Sequence, residues 1–478
     1  MQISRRSLIG GMAATGVALG LSGCDETKNN SSTAINKKTS DANSFPKNLA
    51  LPEDPDGLLL NHINAVEEMQ KADIDLLLCS DPINVQYLTN IQSTASFIGI
   101  DGVNYASLSS SIDNKPTFIG SRIGYYFDAP KQSVGDQLDF RFSGLPAEPE
   151  IFGTLTEIQD IINAPAIPFG MPREHDLKLL SSNEKRRLRQ VKQATTELRA
   201  SLEACLLEEI TQADLPNKTI AIDDPNLRMV IEKSGLNLKI VDGERLVRRM
   251  RMIKSTKELE YMRFAAQANA LSAKMAAKSA RDGATFREIR NEFAKACATL
   301  DMKAKFLMLD THNAWLADGD VRDGRSFLMD AVSTFQEYHG DYGRSVCLGE
   351  PNRKMQQVID GLSWVWDRIF PELKPGITYG EIYGLANKLF AETGVDVRYG
   401  VNPHNVGMHH HDEPNARDFS LTFEKDLNIE LKENMVVSID MPVLDAGQGG
   451  SAHLEDCVLI TADGGEFIND PNDRLIMV

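Results

Sequence analysis

From about residue 56 onward the chain alternates between stretches with helical spacing of apolar residues and short continuous apolar runs. Residues 58–71 have the helical spacing, and residues 74–79 read as a buried strand. Asp81-Pro82 opens a second helix that reaches Leu88. Residues 97–100, 105–108 and 117–120 read as strands between turns rich in Gly, Asn and Asp. Residues 184–205 read as one helix whose basic run, Lys185, Arg186, Arg187 and Arg189, is a solvated face. A strand at 238–241 closes this mixed α/β region near residue 250.

A second domain opens at Ile253. Ser255 and Glu258 form a capping box, and Leu259, Met262, Ala266 and Ala270 continue one helical face. An internal repeat follows. Gly283-Ala284-Thr285-Phe286-Arg287-Glu288-Ile289 matches Gly376-Ile377-Thr378-Tyr379-Gly380-Glu381-Ile382 at a period of 93. Each copy places a Thr N-cap three residues before a Glu, and each helix leads into apolar, strand-like segments. The pattern predicts a duplicated helix-plus-sheet unit, folded two-fold around one cleft. The expected domains are 56–250 and 251–478.

The candidate chemistry lies in acids embedded in the later apolar runs. Asp330 follows Phe327-Leu328-Met329, Asp440 follows Met435 to Ile439, and Glu455 precedes Val458-Leu459-Ile460. Carboxylates are costly to bury on strands unless a cation meets them. Asp330 and Asp341, eleven apart, would face each other across a hairpin whose turn falls at Phe335-Gln336. His404 and His411 lie between these acids and Asp440 in sequence. Four carboxylates and an imidazole from separate strands predict a pocket for two divalent cations, and Mn, Fe, Co and Zn all suit that donor set.

These residues resemble the creatinase/methionine-aminopeptidase superfamily of "pita-bread" metallopeptidases. The resemblance rests on the spacing of Asp330 and Asp341, on the segment from His404 to Pro414, and on Leu454-Glu455-Asp456-Cys457-Val458-Leu459-Ile460-Thr461. It covers residues 252–466 and extends loosely over 56–250. It implies that Asp330 holds one metal, that Asp341 and Glu455 bridge both, and that His404 and Asp440 complete the second site. It implies a hydroxide bridging the metals as nucleophile, with His411, and His312 as well, facing substrate. The implied activity is hydrolysis of short Xaa-Pro peptides by a homodimer. Three departures stand out: Asp440 where the family has Glu, His453 where proline-specific members carry Arg, and Asn405 in place of Gly. They keep two other expectations open: a metal-dependent lyase or hydrolase of a small metabolite, and a binding protein on the same fold.

Composition narrows the setting. The net charge of −17 excludes a basic phosphate-binding surface, so no nucleic-acid partner is expected. At the N-terminus, Arg5-Arg6 and an apolar run over 8–21 precede Leu21-Ser22-Gly23-Cys24. The order of these signals predicts twin-arginine export, cleavage before Cys24 and a lipid anchor there, with residues 25–55 as a tether. Asp25 suggests retention at the inner membrane, facing the periplasm. The other five cysteines, Cys79, Cys205, Cys297, Cys347 and Cys457, are scattered among apolar neighbours and read as small buried hydrophobes.

Overall fold

The computed structural model describes residues 49–100, 102–128, 132–170, 177–311, 319–395, 401–413, 427–447 and 450–478. The export signal, most of the tether and His312 lie outside them. Residues from Leu49 onward form one compact unit with two main sheets.

The first sheet is built from β1 (Leu76–Cys79), β2 (Tyr105–Ser109), β3 (Thr117–Gly120) and β4 (Asp139–Ser143), with β7 (Leu198–Arg199), β8 (Thr219–Ile222) and β9 (Lys239–Asp242). Strands β5 (Leu145–Pro146) and β6 (Ala166–Ile167) pair separately as a short ribbon. The seven-stranded order is β7-β4-β3-β2-β1-β8-β9. Its central strands are buried on both faces, which explains their unbroken apolar runs.

Two expected elements differ. Residues 97–100 form no strand: Thr94–Phe97 is a helical turn, Gly99 has φ +74°, and Ile98 and Ile100 face solvent. The long helix over 184–205 is two helices, Ser182–Ala194 and Leu202–Gln212. Between them β7 pairs with Phe142 and Ser143 of β4, so sheet pairing overrides local helical preference.

The second sheet carries the chemistry. Its strands are β10 (Lys303–Leu309), β11 (Ser326–Phe335), β12 (Tyr338–Cys347), β13 (Asn402–Asn405), β14 (Val436–Val443), β15 (Ala452–Thr461), β16 (Gly464–Phe467) and β17 (Leu475–Met477). The main path runs β10-β11-β12-β15-β14-β13. The triplet β10–β12 thus meets the triplet β13–β15 edge to edge, as the sequence repeat predicts. Helix Phe286–Thr299 leads into the first triplet and Tyr379–Thr393 into the second. Both start with complete capping boxes, at Thr285/Glu288 and Thr378/Glu381. Each N-cap Thr also forms an isolated bridge, with Asp320 and Glu430 respectively.

Helix Thr256–Ala277 covers one face of this sheet. A Cβ on Gly340 would sit 2.3 Å from the Ala265 carbonyl oxygen, so only glycine lets helix and strand approach this closely. The five cysteines of the sequence expectation are free and buried.

Candidate metal centre

Strand register assembles the site on the opposite face of the sheet. Gly343 of β12 lies opposite Asp330 of β11 on one side and Glu455 of β15 on the other. The register that pairs Ser438 with Cys457 and Met441 with Leu454 brings Asp440 of β14 level with Glu455. One row across the sheet therefore reads Asp330, Gly343, Glu455, Asp440. The neighbouring row contains Asp341, Cys457, Ser438 and His404. Side chains alternate faces along a strand, so positions two apart share a face and the two rows form one acidic floor.

Asp330 and Asp341 share that floor but are not opposed. Asp341 pairs with Val332. The turn falls at Gln336-Glu337, both with positive φ, one residue later than expected. The two carboxylates are therefore diagonal neighbours, which leaves more room between them for a cation.

Contacts then tie the rows together. His404 Nε2 lies 3.5 Å from Asp341 Oδ2 and 3.7 Å from Glu455 Oε1. Ser438 donates its hydroxyl to Glu455 Oε1 at 2.8 Å. His453 Nε2 lies 2.7 Å from Asp440 Oδ1 and 3.6 Å from Glu455 Oε2. His410 Nε2 lies 3.0 Å from Asp341 Oδ2, and the His411 ring stacks on His404 with centroids 3.8 Å apart. The structure thus brings together Asp330, Asp341, His404, His411, Asp440 and Glu455. It adds two imidazoles: His410, hidden in a run of three identical residues, and His453, legible only as a departure from the expected Arg.

The loop carrying these histidines is held from behind. Arg248 donates to the His411 carbonyl oxygen at 2.7 Å, and Arg251 donates to Asp412 Oδ1 at 2.8 Å and to Asn84 Oδ1 at 2.6 Å. Arg245 binds Glu413 Oε1 at 2.5 Å, and Lys254 donates to Asn405 Oδ1 at 3.1 Å. The arginines lie on helix Glu244–Met252, and Asn84 lies on helix Pro82–Thr89 beside the first sheet. That scaffold fixes the backbone that presents His410 and His411.

Electrostatics bear on which group the floor would hold. Burial, then repulsion from Asp341, Asp440 and Asp330, pushes the Glu455 carboxyl well above its ordinary range. Burial also raises Asp330, and Asp341 and Asp440 add to it against the pull of His453. Burial would raise Asp341 too, yet His410, His404 and His411 hold it below the usual carboxylate range. Burial lowers His404 to about 4, so its imidazole is neutral and its lone pair is free to ligate. Asp330 Oδ1 and Asp341 Oδ1 are buried and have no hydrogen-bond partner among the described residues. Unpaired carboxylate oxygens beside neutral imidazole are the donor set that a divalent cation satisfies, so the residues fit such a group. Asp341, His404 and Glu455 form one cluster with donor spacing suited to an ion, and Asp440, His453 and Glu455 form another.

Comparison with known proteins gives the same picture. Residues 260–462 match metallopeptidase family M24. The chain is 24% identical over 241 residues to an Xaa-Pro dipeptidase of Pyrococcus horikoshii, covering 48% of this chain and 66% of that protein. It is 26% identical over 265 residues to the "Probable dipeptidase PepE" of Mycobacterium tuberculosis, covering 53% and 68%. The match thus spans about two thirds of these relatives' length. Among solved structures, an X-Pro aminopeptidase from Thermotoga maritima superposes with a TM-score of 0.60 at 16% identity, over 86% of this chain and 100% of that one. That likeness shows the fold.

Proposed function

We propose that this protein, whose residues 260–462 match metallopeptidase family M24, is a metal-dependent peptidase that cleaves Xaa-Pro bonds in short peptides. The observation that carries the reading is the convergence of Asp330, Asp341, His404, Asp440 and Glu455 on one buried sheet face. The matched relatives named as dipeptidases favour it over a lyase or a binding protein. Asp330, Asp341 and Glu455 would hold one ion, and Asp341, His404, Asp440 and Glu455 a second. Bound there, two divalent cations supply the charge that polarises a peptide carbonyl and makes water a nucleophile near neutral pH.

The chain's own residues do the rest. Asp440 is the most accessible of the site's paired carboxylates, with its side chain 22% exposed. With Oδ1 turned to His453 and to the ion it would share, its other oxygen takes the proton from water and passes it to the departing amine. His410 and His411 rise beside Asp341 and His404, where they orient the peptide carbonyl and donate to its oxygen as negative charge develops. His312 would join them on the substrate side. Burial lowers His410, but contact with Asp341 outweighs it and raises the group to about 8 in the metal-free chain.

Further parts of the reading rest on the sequence. Residues 56–250 and 251–478 would act as two domains in a homodimer, with the first restricting access to short substrates. Arg5-Arg6 and Cys24 would direct export and lipid anchoring at the inner membrane, facing the periplasm. The deciding experiment is metal analysis of the purified full chain alongside proline release from Xaa-Pro di- and tripeptides. Protein carrying a divalent metal that releases nothing from the whole peptide series would sink the peptidase assignment.

A further inference from the structure

We propose that His453 is itself a metal ligand, so that the two imidazoles flanking the Glu455 carboxylate both serve the site as nitrogen donors. The assignment rests on the metal reading above and goes beyond it, because that reading places His404 as the sole nitrogen donor. Glu455 is the pivot. Its Oε1 faces His404 at 3.7 Å, and its Oε2 faces His453 at 3.6 Å. The two carboxylate oxygens are thus each flanked by an imidazole Nε2, and each imidazole has a further aspartate: Asp341 for His404 at 3.5 Å, Asp440 for His453 at 2.7 Å. The second triad repeats the first with the same residue types.

The floor beneath the ring is built for it. His453 pairs with Pro442 of β14, and its side chain shares the face of Glu455, two residues on. The imidazole leans back over Gly343, where a Cβ would lie 2.4 Å from Cε1 and 2.5 Å from Nδ1. Any other residue at position 343 would push the ring off the floor. Gly343 lies between Asp330 and Glu455 in the row, so this gap is the only break in a line of carboxylates. The ring is 1% exposed, and its Nδ1 has no partner among the described residues. The nitrogen turned to the carboxylates is Nε2, 2.7 Å from Asp440 Oδ1 and 3.6 Å from Glu455 Oε2, so the donor atom faces the acids that would share the cation. Coordination through Nε2 places the ring in a charge-balanced cluster of the kind that buried ionisable groups require.

X-ray absorption at the zinc edge tests this directly, since ring scattering counts the imidazoles bound to the metal. The full chain is loaded with two zinc ions and compared with His453→Gln at zinc concentrations that fill both centres. The expected result is loss of one ring's share of the scattering amplitude in the variant. Gly343→Ala is the second variant and should reduce the amplitude in the same way by displacing the ring without removing it. Far-UV circular dichroism confirms which variants fold. Unchanged ring amplitude in a folded, doubly loaded variant overturns the assignment and leaves His453 as a partner of Asp440 only. A wild-type chain that binds no zinc overturns the metal reading itself and this assignment with it.

Discussion

Asp330 shows most plainly how this site holds unfavourable charge. Its carboxyl is raised by burial and by its acidic neighbours, and one oxygen has no hydrogen-bond partner among the described residues. Without metal the cluster repels itself, so Asp330→Asn should raise the stability of metal-free protein by about 1 kcal/mol, roughly 1 °C in melting temperature for a unit of this size. The same variant should lose most of the stabilisation that manganese gives the wild type. Calorimetry with and without metal checks both signs, and a variant less stable in both states refutes the repulsion argument. Asp440 makes a different prediction. Its Oδ1 already meets His453 at 2.7 Å, so an added methylene must displace one of the two. Asp440→Glu should lower kcat/KM on Xaa-Pro dipeptides at least tenfold, about 1.4 kcal/mol in the barrier. A gain in peptidase activity would show instead that the native aspartate serves another substrate.

Among the elements, local signals were legible and tertiary ones were not. The capping boxes at Ser255, Thr285 and Thr378 were readable because a cap is decided within four residues. The hairpin register was not. Gln336 and Glu337 both adopt positive φ without the Asn-Gly pair that usually announces such a turn, and one residue of slip changed which acids oppose. The break between helices Ser182–Ala194 and Leu202–Gln212 had a quiet signal in Thr195, Thr196 and the N-cap Ser201, but its cause is pairing with β4. The acids that make the site were visible because charge inside an apolar run is conspicuous. His410 was not, since only the fold distinguishes it from His409 and His411. The twin caps carry their own prediction. Thr285→Ala and Thr378→Ala should each cost about 1 kcal/mol, because each removes an equivalent exposed capping box. Unequal costs in chemical denaturation would mean the two halves are matched in sequence but not in energetics.

For the molecule as a whole, the proposed export signal and the acidic floor together bear on where metal would be acquired. Among the described residues no helix is long and apolar enough to cross a membrane. Twin-arginine export carries folded proteins. A cluster of buried carboxylates that repel until cations arrive is best filled before export, because the ions then stabilise the fold that crosses. At free metal a hundredfold above the dissociation constant, that stabilisation is about 2.7 kcal/mol per site. Replacing Arg5 and Arg6 with Lys should therefore leave metal-loaded, active protein in the cytoplasm. Cys24→Ser should export normally but move the protein from the membrane fraction to the soluble envelope fraction, since a single lipid at Cys24 is the anchor inferred from the sequence. Removal of the first 23 residues, which contain two arginines and no acid, takes the net charge from −17 to −19. A chain cleaved as proposed would be still more acidic and would be repelled by an anionic membrane surface, so without a lipid it would have no electrostatic reason to remain there. Fractionation of cells expressing the two variants, with metal content measured in each fraction, separates export from anchoring. Metal-free protein accumulating in the cytoplasm with the paired lysines would show that loading happens after export.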